Sequence, residues 1–218
     1  MLVHTTGGGL VAKAKALGVD PEAFAVEYYR DAGNYPHYLI AHDGSIYNFC
    51  DELRWAAHAA WQPIERSLYA GDWATSWINV LGDGKLRHVE RSFYAVWFER
   101  WKNPSRPAVF SSPKELVAAV GGTSPNEAYI GVELLDSKPF TAAQHEALAA
   151  LFSDIRARHG LHINGILPVP TFCTHSDVGP LRRWQRSRSD KGATPSSGFA
   201  WDPLVGQLDW RLVEQKLT

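Results

Sequence analysis

"AYIGVELL", residues 128–135, is the stretch on which the architecture turns. It is a continuous apolar run that a single acid, Glu133, interrupts. A short apolar run of this kind, bounded by polar residues, reads as a strand buried on both faces. A carboxylate inside such a strand is costly to bury unpaired. Glu133 therefore either has a partner or points into a functional cleft.

The neighbouring segments supply the layers that would cover this strand. "FTAAQHEALAALFSDIRARHG" (140–160) predicts a helix. Thr141 and Gln144 fit a capping box, and Leu148, Leu151, Phe152 and Ile155 form one apolar face. Arg156 and Arg158 sit near the negative end of the helix dipole, and Gly160 follows the last turn. Upstream, "HYLIAHDGSIYNF" (37–49) places two β-rich runs around an Asp-Gly turn, a hairpin signal. The chain starts with a very short strand, Leu2–Val3, stopping at His4 and followed by the polar stretch "TTGGG". Residues 10–31 read as helical in two pieces, because "GVDPEAF" carries a breaker, an Asp20 cap and a Pro21 at the first helical position. "SSPKELVAAVGG" (111–122) predicts a short helix with Ser112 and Glu115 as its capping box, and a terminal helix is expected from about Asp209. Strands alternate with helices, so the expected class is α/β: a central mixed β-sheet flanked by helices.

The expected organisation is one domain over residues 1–218, with a Trp-rich insertion at about 62–125. That insertion holds Trp73, Trp77, Trp97 and Trp101 and a "GDGK" turn at 82–85. The two Trp pairs stand at i, i+4, a spacing that points to packing.

Composition narrows the function. The chain has 218 residues, 45% hydrophobic and 21% charged, and a formal net charge of −1. There is no basic excess to neutralise phosphates, so bulk nucleic-acid binding is not expected. Cys50 and Cys173 are too few for a disulfide framework, and reduced thiols are expected. No apolar run is long enough to span a membrane. "MLVHTTGGGL" lacks a basic segment leading into an apolar stretch, so synthesis into the cytoplasm without a secretory signal is the expectation, with any later release to the wall by a separate route. A monomer is expected.

A second stretch carries chemistry. "TFCTHSDVGP" (171–180) is a short β-favouring run that ends in His-Ser-Asp before a Gly-Pro break. His4 and His175 each follow such a run and precede a polar break. If their strands are neighbours, the two imidazoles converge at one end of the sheet. Two His and one carboxylate with an open fourth position make a hydrolytic zinc site. An Asp-Pro at 202–203 lies downstream.

Five stretches in this order resemble the zinc-dependent N-acetylmuramoyl-L-alanine amidases, a group that includes phage amidases, muropeptide-recycling amidases and peptidoglycan recognition proteins. They are "LVHTTGG" (2–8), "PHYLIAHDGSIYNF" (36–49), "WAAHAA" (55–60), "YIGVELL" (129–135) and "THSDVGP" (174–180), and "WDPLVGQLDW" (201–210) resembles the family's closing segment. The resemblance implies that His4, His175 and Asp202 hold Zn2+ and that Glu133 is the acid acting on water. It further implies that His37 and His58 line the substrate cleft and that Asp177 and Pro180 shape the loop. The implied substrate is peptidoglycan or a soluble muropeptide, cut between the lactyl group and L-alanine. Two positions depart from the family pattern. Ala200 stands where a Lys is common, which makes Lys191 the expected oxyanion donor, with Arg186 and Arg188 as substitutes. Pro36 stands where some phage members have Tyr. The competing readings are a wall-binding protein without catalysis and a zinc amide hydrolase acting on a non-wall substrate.

Overall fold

The computed structural model describes residues 1–33, 35–59, 77–82, 85–90, 113–119, 124–136, 139–160 and 173–174. The chain divides into two compact units, one made of residues 1–58, 129–172 and 207–218, the other of 59–128 and 173–206.

The first unit is built on strands ordered β3-β2-β6-β1. These are β1 (Leu2–Thr5), β2 (Tyr38–Ile40), β3 (Ile46–Asn48) and β6 (Gly131–Leu134). β6 lies between β1 and β2 and is parallel to both, while β3 is antiparallel to β2, so the sheet is mixed. All four residues of β6 are buried, as the apolar run around Glu133 predicts. The register places Leu2 beside Gly131, His4 beside Glu133, and Leu39 beside Glu133 on the other flank. Paired residues of neighbouring strands project to the same face, so Gly131, Glu133, His4 and Leu39 share one face. Val3 and Val132 belong to the other.

Helices α1 (Gly7–Leu17) and α2 (Pro21–Asp31) are the two helical pieces expected at the start of the chain. Asp20 caps α2, its carboxylate accepting from the Ala23 N–H at 2.7 Å, with Pro21 in the first turn. α1 begins at Gly7, inside the glycine stretch and ahead of the expected start at residue 10. Tertiary anchoring overrides glycine's poor propensity here. Thr6 donates its N–H to Leu134 O at 3.0 Å, and its hydroxyl accepts from Asp136 N–H at 3.0 Å instead of capping the helix. Ala25, Val26 and Tyr29 of α2 pack with Leu39 and Leu135 into one core cluster.

The hairpin turns where Asp-Gly predicted. Asp43 accepts from the Ser45 N–H at 2.8 Å, and Gly44 has φ 89. A side chain there would also meet Ala143 O at 2.9 Å, so Gly44 is fixed by conformation and by space together.

Before the longest helix, α5 (Ala142–His159), Thr141 and Gln144 form the expected capping box, and Gly160 ends it in a left-handed conformation. Leu148, Phe152 and Ile155 are buried. Gln144 is also buried, and its amide donates to Leu135 O at 2.8 Å, anchoring the first turn of α5 at the end of β6.

In the second unit, β4 (Trp77–Gly82) and β5 (Lys85–Glu90) pair antiparallel across the GDGK turn. Trp77 opens a strand, so its i, i+4 spacing from Trp73 is not a helical face at that end. Short helices α3 (Pro113–Ala119) and α4 (Pro125–Ala128) follow, with Leu116 fully buried. Asn126 accepts from the Ala59 N–H at 2.5 Å. Cys173–Thr174 form the two-residue strand β7, which carries the end of the expected β-run. Cys50 is a free thiol. Ser112 and the closing segment from Asp209 lie outside the described residues. Among the described residues, no helix is long and apolar enough to cross a membrane.

Candidate active site

β1 and β6 bring the first two site residues together. Their register sets His4 beside Glu133, and the His4 Nδ1 lies 3.8 Å from Glu133 Oε1. β1 continues one residue past His4, to Thr5, so His4 is an interior strand residue, 2% exposed, and not a strand-end one. Glu133 is 9% exposed. A nearly buried imidazole beside a nearly buried carboxylate is a pair that can hold a cation or share a proton.

Two further histidines stand behind this pair. His58 Nδ1 lies 3.1 Å from His4 Nε2, the rings meeting edge to face at 5.2 Å between centroids. The other nitrogen of His58, Nε2, lies 3.2 Å from the Tyr129 carbonyl. His37 is tied to the backbone on both sides. Its Nδ1 accepts from the Gly131 N–H at 2.9 Å, and its Nε2–H donates to Arg54 O at 2.8 Å. Its own N–H donates to Gly131 O at 2.9 Å, so His37 grips Gly131 at two points.

Gly131 has no side chain because His58 occupies the space. A Cβ at that position would lie 2.6 Å from two ring carbons of His58. The glycine in "YIGVELL" therefore admits an imidazole against the middle of a buried strand. Sequence reasoning singled out the histidines but not this glycine, nor the carbonyls of Tyr129 and Arg54 that orient them. The available signal was a glycine two residues before the acid of a buried strand.

Burial, followed by the charge of His37, drives His58 down to about 3. Burial also lowers His37, against the opposing hydrogen bond to Arg54. Both rings are therefore neutral near pH 7, as a hydrogen-bonded, desolvated imidazole should be. On α2, Tyr29 is held protonated by burial first and by the negative charge of Glu133 second.

The structure thus gathers His4, Glu133, His37 and His58 in one place. His175, Asp202 and Lys191 lie outside the described residues, as do Arg186, Arg188 and Ala200. Among the described residues, no three His, Cys, Asp or Glu are grouped to hold a metal ion.

A family model described as N-acetylmuramoyl-L-alanine amidase matches residues 1–192. The matched span includes His4, His37, His58, Glu133, His175 and Lys191, and it stops before Asp202. No curated protein and no solved structure matches the chain. With most of its length matched and a mixed sheet flanked by helices, the chain belongs to the N-acetylmuramoyl-L-alanine amidase family.

Proposed function

We propose that the protein is a zinc-dependent hydrolase that cleaves the amide between the lactyl group of N-acetylmuramic acid and L-alanine. The observation that carries this is the His4–Glu133 pair, set at 3.8 Å by strand register and backed by buried His37 and half-buried His58. The donors fit zinc in kind. His4 is a buried imidazole, and His175 and Asp202 would complete a nitrogen and oxygen set. Zinc, when bound, polarises the scissile carbonyl and makes water nucleophilic near neutral pH.

The chain's own groups do the rest. Glu133 takes a proton from the attacking water and returns it to the leaving amine of L-alanine, the dual role of a positioned acid and base. Lys191, with Arg186 and Arg188 as substitutes, supplies positive charge to the developing oxyanion. His37 and His58 form the floor of the cleft. Since both nitrogens of His37 are spent on backbone groups, it shapes the substrate site without hydrogen-bonding the substrate.

The substrate is peptidoglycan or a muropeptide cut from it, and the protein acts as an endolysin or as a muropeptide amidase, as a monomer. The competing reading, a wall-binding protein without catalysis, requires that Asp202 not reach the metal. Mass spectrometry of purified sacculi and of soluble anhydro-muropeptides after digestion separates the readings. Release of free stem peptides that a chelator abolishes and zinc restores is the expected result. Binding to sacculi without any cleavage by zinc-loaded protein establishes the second reading instead.

A further inference from the structure

Glu52 is an acid that the proposed chemistry does not use, and four donors converge on it. Both terminal nitrogens of Arg158, the Nε2–H of His159 at 2.6 Å and the Tyr38 hydroxyl at 2.5 Å donate to its carboxylate. Its side chain is 7% exposed. Burying a carboxylate is costly, and a two-pronged guanidinium is the partner best shaped to offset that cost.

The acid sits in a closed turn. The Arg54 N–H donates to Asp51 O at 3.0 Å, and the Leu53 N–H donates to the Asp51 carboxylate at 2.8 Å. With the turn closed, Glu52 and Arg54 are held as one piece. Beyond it, Arg54 O accepts from His37 Nε2–H at 2.8 Å, and His37 Nδ1 accepts from the Gly131 N–H at 2.9 Å. A bonded path therefore runs from the last turn of α5 through Glu52, the turn and the His37 ring to β6, two residues before Glu133. The segment also passes from one face of the sheet to the other. Tyr38 pairs with Val132, on the face away from Glu133. His58, four residues after Arg54, packs against Gly131 on the face of Glu133.

We propose that Glu52 is a positioning residue of the substrate cleft: clamped by α5, it fixes the 51–54 turn and so holds the His37 ring in the cleft floor. The effect on substrate rests on the amidase reading, whereas the mechanical coupling does not. The plainer role, pinning α5 to the sheet, needs only the bonds among Glu52, Arg158, His159 and Tyr38. The closed turn and the Arg54–His37 bond are what carry the clamp onward to the cleft.

Hydrogen exchange in the full, nitrogen-labelled chain separates the two roles. In Glu52→Ala the Arg54 N–H and the His37 Nε2–H should accelerate about tenfold more than strand amides do, as in a local opening. The reference amides are His37 N–H, bonded to Gly131 O, and Leu135 N–H, bonded to Ile40 O. With a muropeptide as substrate, KM should rise about tenfold while kcat stays within about twofold, the signature of lost ground-state binding. A role in stability alone speeds all four protons by one factor and lowers apparent kcat at unchanged KM, because only the folded fraction changes. Either of those results overturns the proposal, as do unchanged Arg54 and His37 protons. Arg158→Ala leaves Tyr38 and His159 on Glu52 and should give the same pattern more weakly, so it decides the matter if Glu52→Ala does not fold. If exchange behaves as expected while the wild type cleaves no muropeptide, the positioning stands and the amidase reading fails.

Discussion

Glu133 and His4 occupy paired positions on adjacent parallel strands, so their separation is set by backbone register and not by flexible side chains. Replacing Glu133 with Gln keeps the shape and removes the proposed base. Turnover should fall by about 10²–10⁴-fold with zinc content and melting unchanged, the usual size of a general acid–base contribution. Steady-state rates on a muropeptide, together with metal analysis of the same sample, check this, and near-normal turnover in a zinc-loaded variant makes Glu133 structural. Gly131 is sensitive for a different reason. Gly131→Ala drives a methyl group into the His58 ring, which lies against a buried strand and is held by contacts with His4 and Tyr129. A loss of about 1–3 kcal/mol is expected, as for overpacked cores, and urea unfolding measures it. Lys191→Ala should lower kcat by about 10²–10³-fold if Lys191 meets the oxyanion. Alanine variants of Arg182, Arg183, Arg186 and Arg188, assayed alongside it at saturating substrate, test the substitutes. If none of the five reduces turnover tenfold, the oxyanion role does not belong to this loop.

Two elements are tied together by one acid. Glu52, just after β3, is gripped by Arg158 and His159 from the last turn of α5 and by the Tyr38 hydroxyl from β2. Burial alone raises its carboxyl, but the hydrogen bonds from Arg158, Tyr38 and His159 outweigh burial and hold it at about 2. The pKa is thus lower folded than unfolded. The stabilisation is fully present above the ordinary carboxylate value of 4.5 and is lost as pH falls towards 2. Wild type and Glu52→Gln should therefore differ most in stability near neutrality and converge as pH drops through that window. Denaturation midpoints at several pH values read this, and a constant difference down to pH 2 refutes it. At the other end of α5, the capping box joins Thr141 and Gln144. Thr141→Ala should cost about 0.5–2 kcal/mol, since it leaves the Gln144 N–H without its side-chain acceptor. The Thr141 hydroxyl also donates to His42 O at 2.6 Å, linking α5 to the hairpin.

At the scale of the molecule, the proposed zinc site predicts that metal occupancy and stability are linked. A ligand that binds only the folded chain stabilises it by about 2.7 kcal/mol at a concentration of 100 Kd. For a chain of this size that corresponds to roughly 5–10 °C in Tm. Chelation should lower Tm by this amount, and zinc should restore it in wild type but not in a His4→Ala, His175→Ala double variant. An identical Tm with and without chelator rules out a folded-state zinc site of useful affinity. Calorimetry also shows whether the two compact units unfold together or in separate transitions.

Much of the first unit was legible from residue order. The buried strand around Glu133, the Asp-Gly hairpin, the break at Asp20-Pro21 and the capping box of α5 each rest on local chemistry: apolar runs, turn geometry and orphan backbone donors near the chain. The family was likewise visible as spaced motifs, and those motifs contain His4, His37 and His58, which the structure gathers beside Glu133. What only the tertiary structure decided were the relations between segments distant in sequence. Register between β1 and β6 set His4 against Glu133. Thr6, donating to Leu134 O and accepting from the Asp136 N–H, lets α1 start inside glycines that propensity alone assigns to a loop. The role of Gly131 became apparent only when the ring of His58, contributed from a separate segment, was found in the space its side chain would fill. Pairing and close approach across the sheet depend on which segments meet, and no local pattern encodes that.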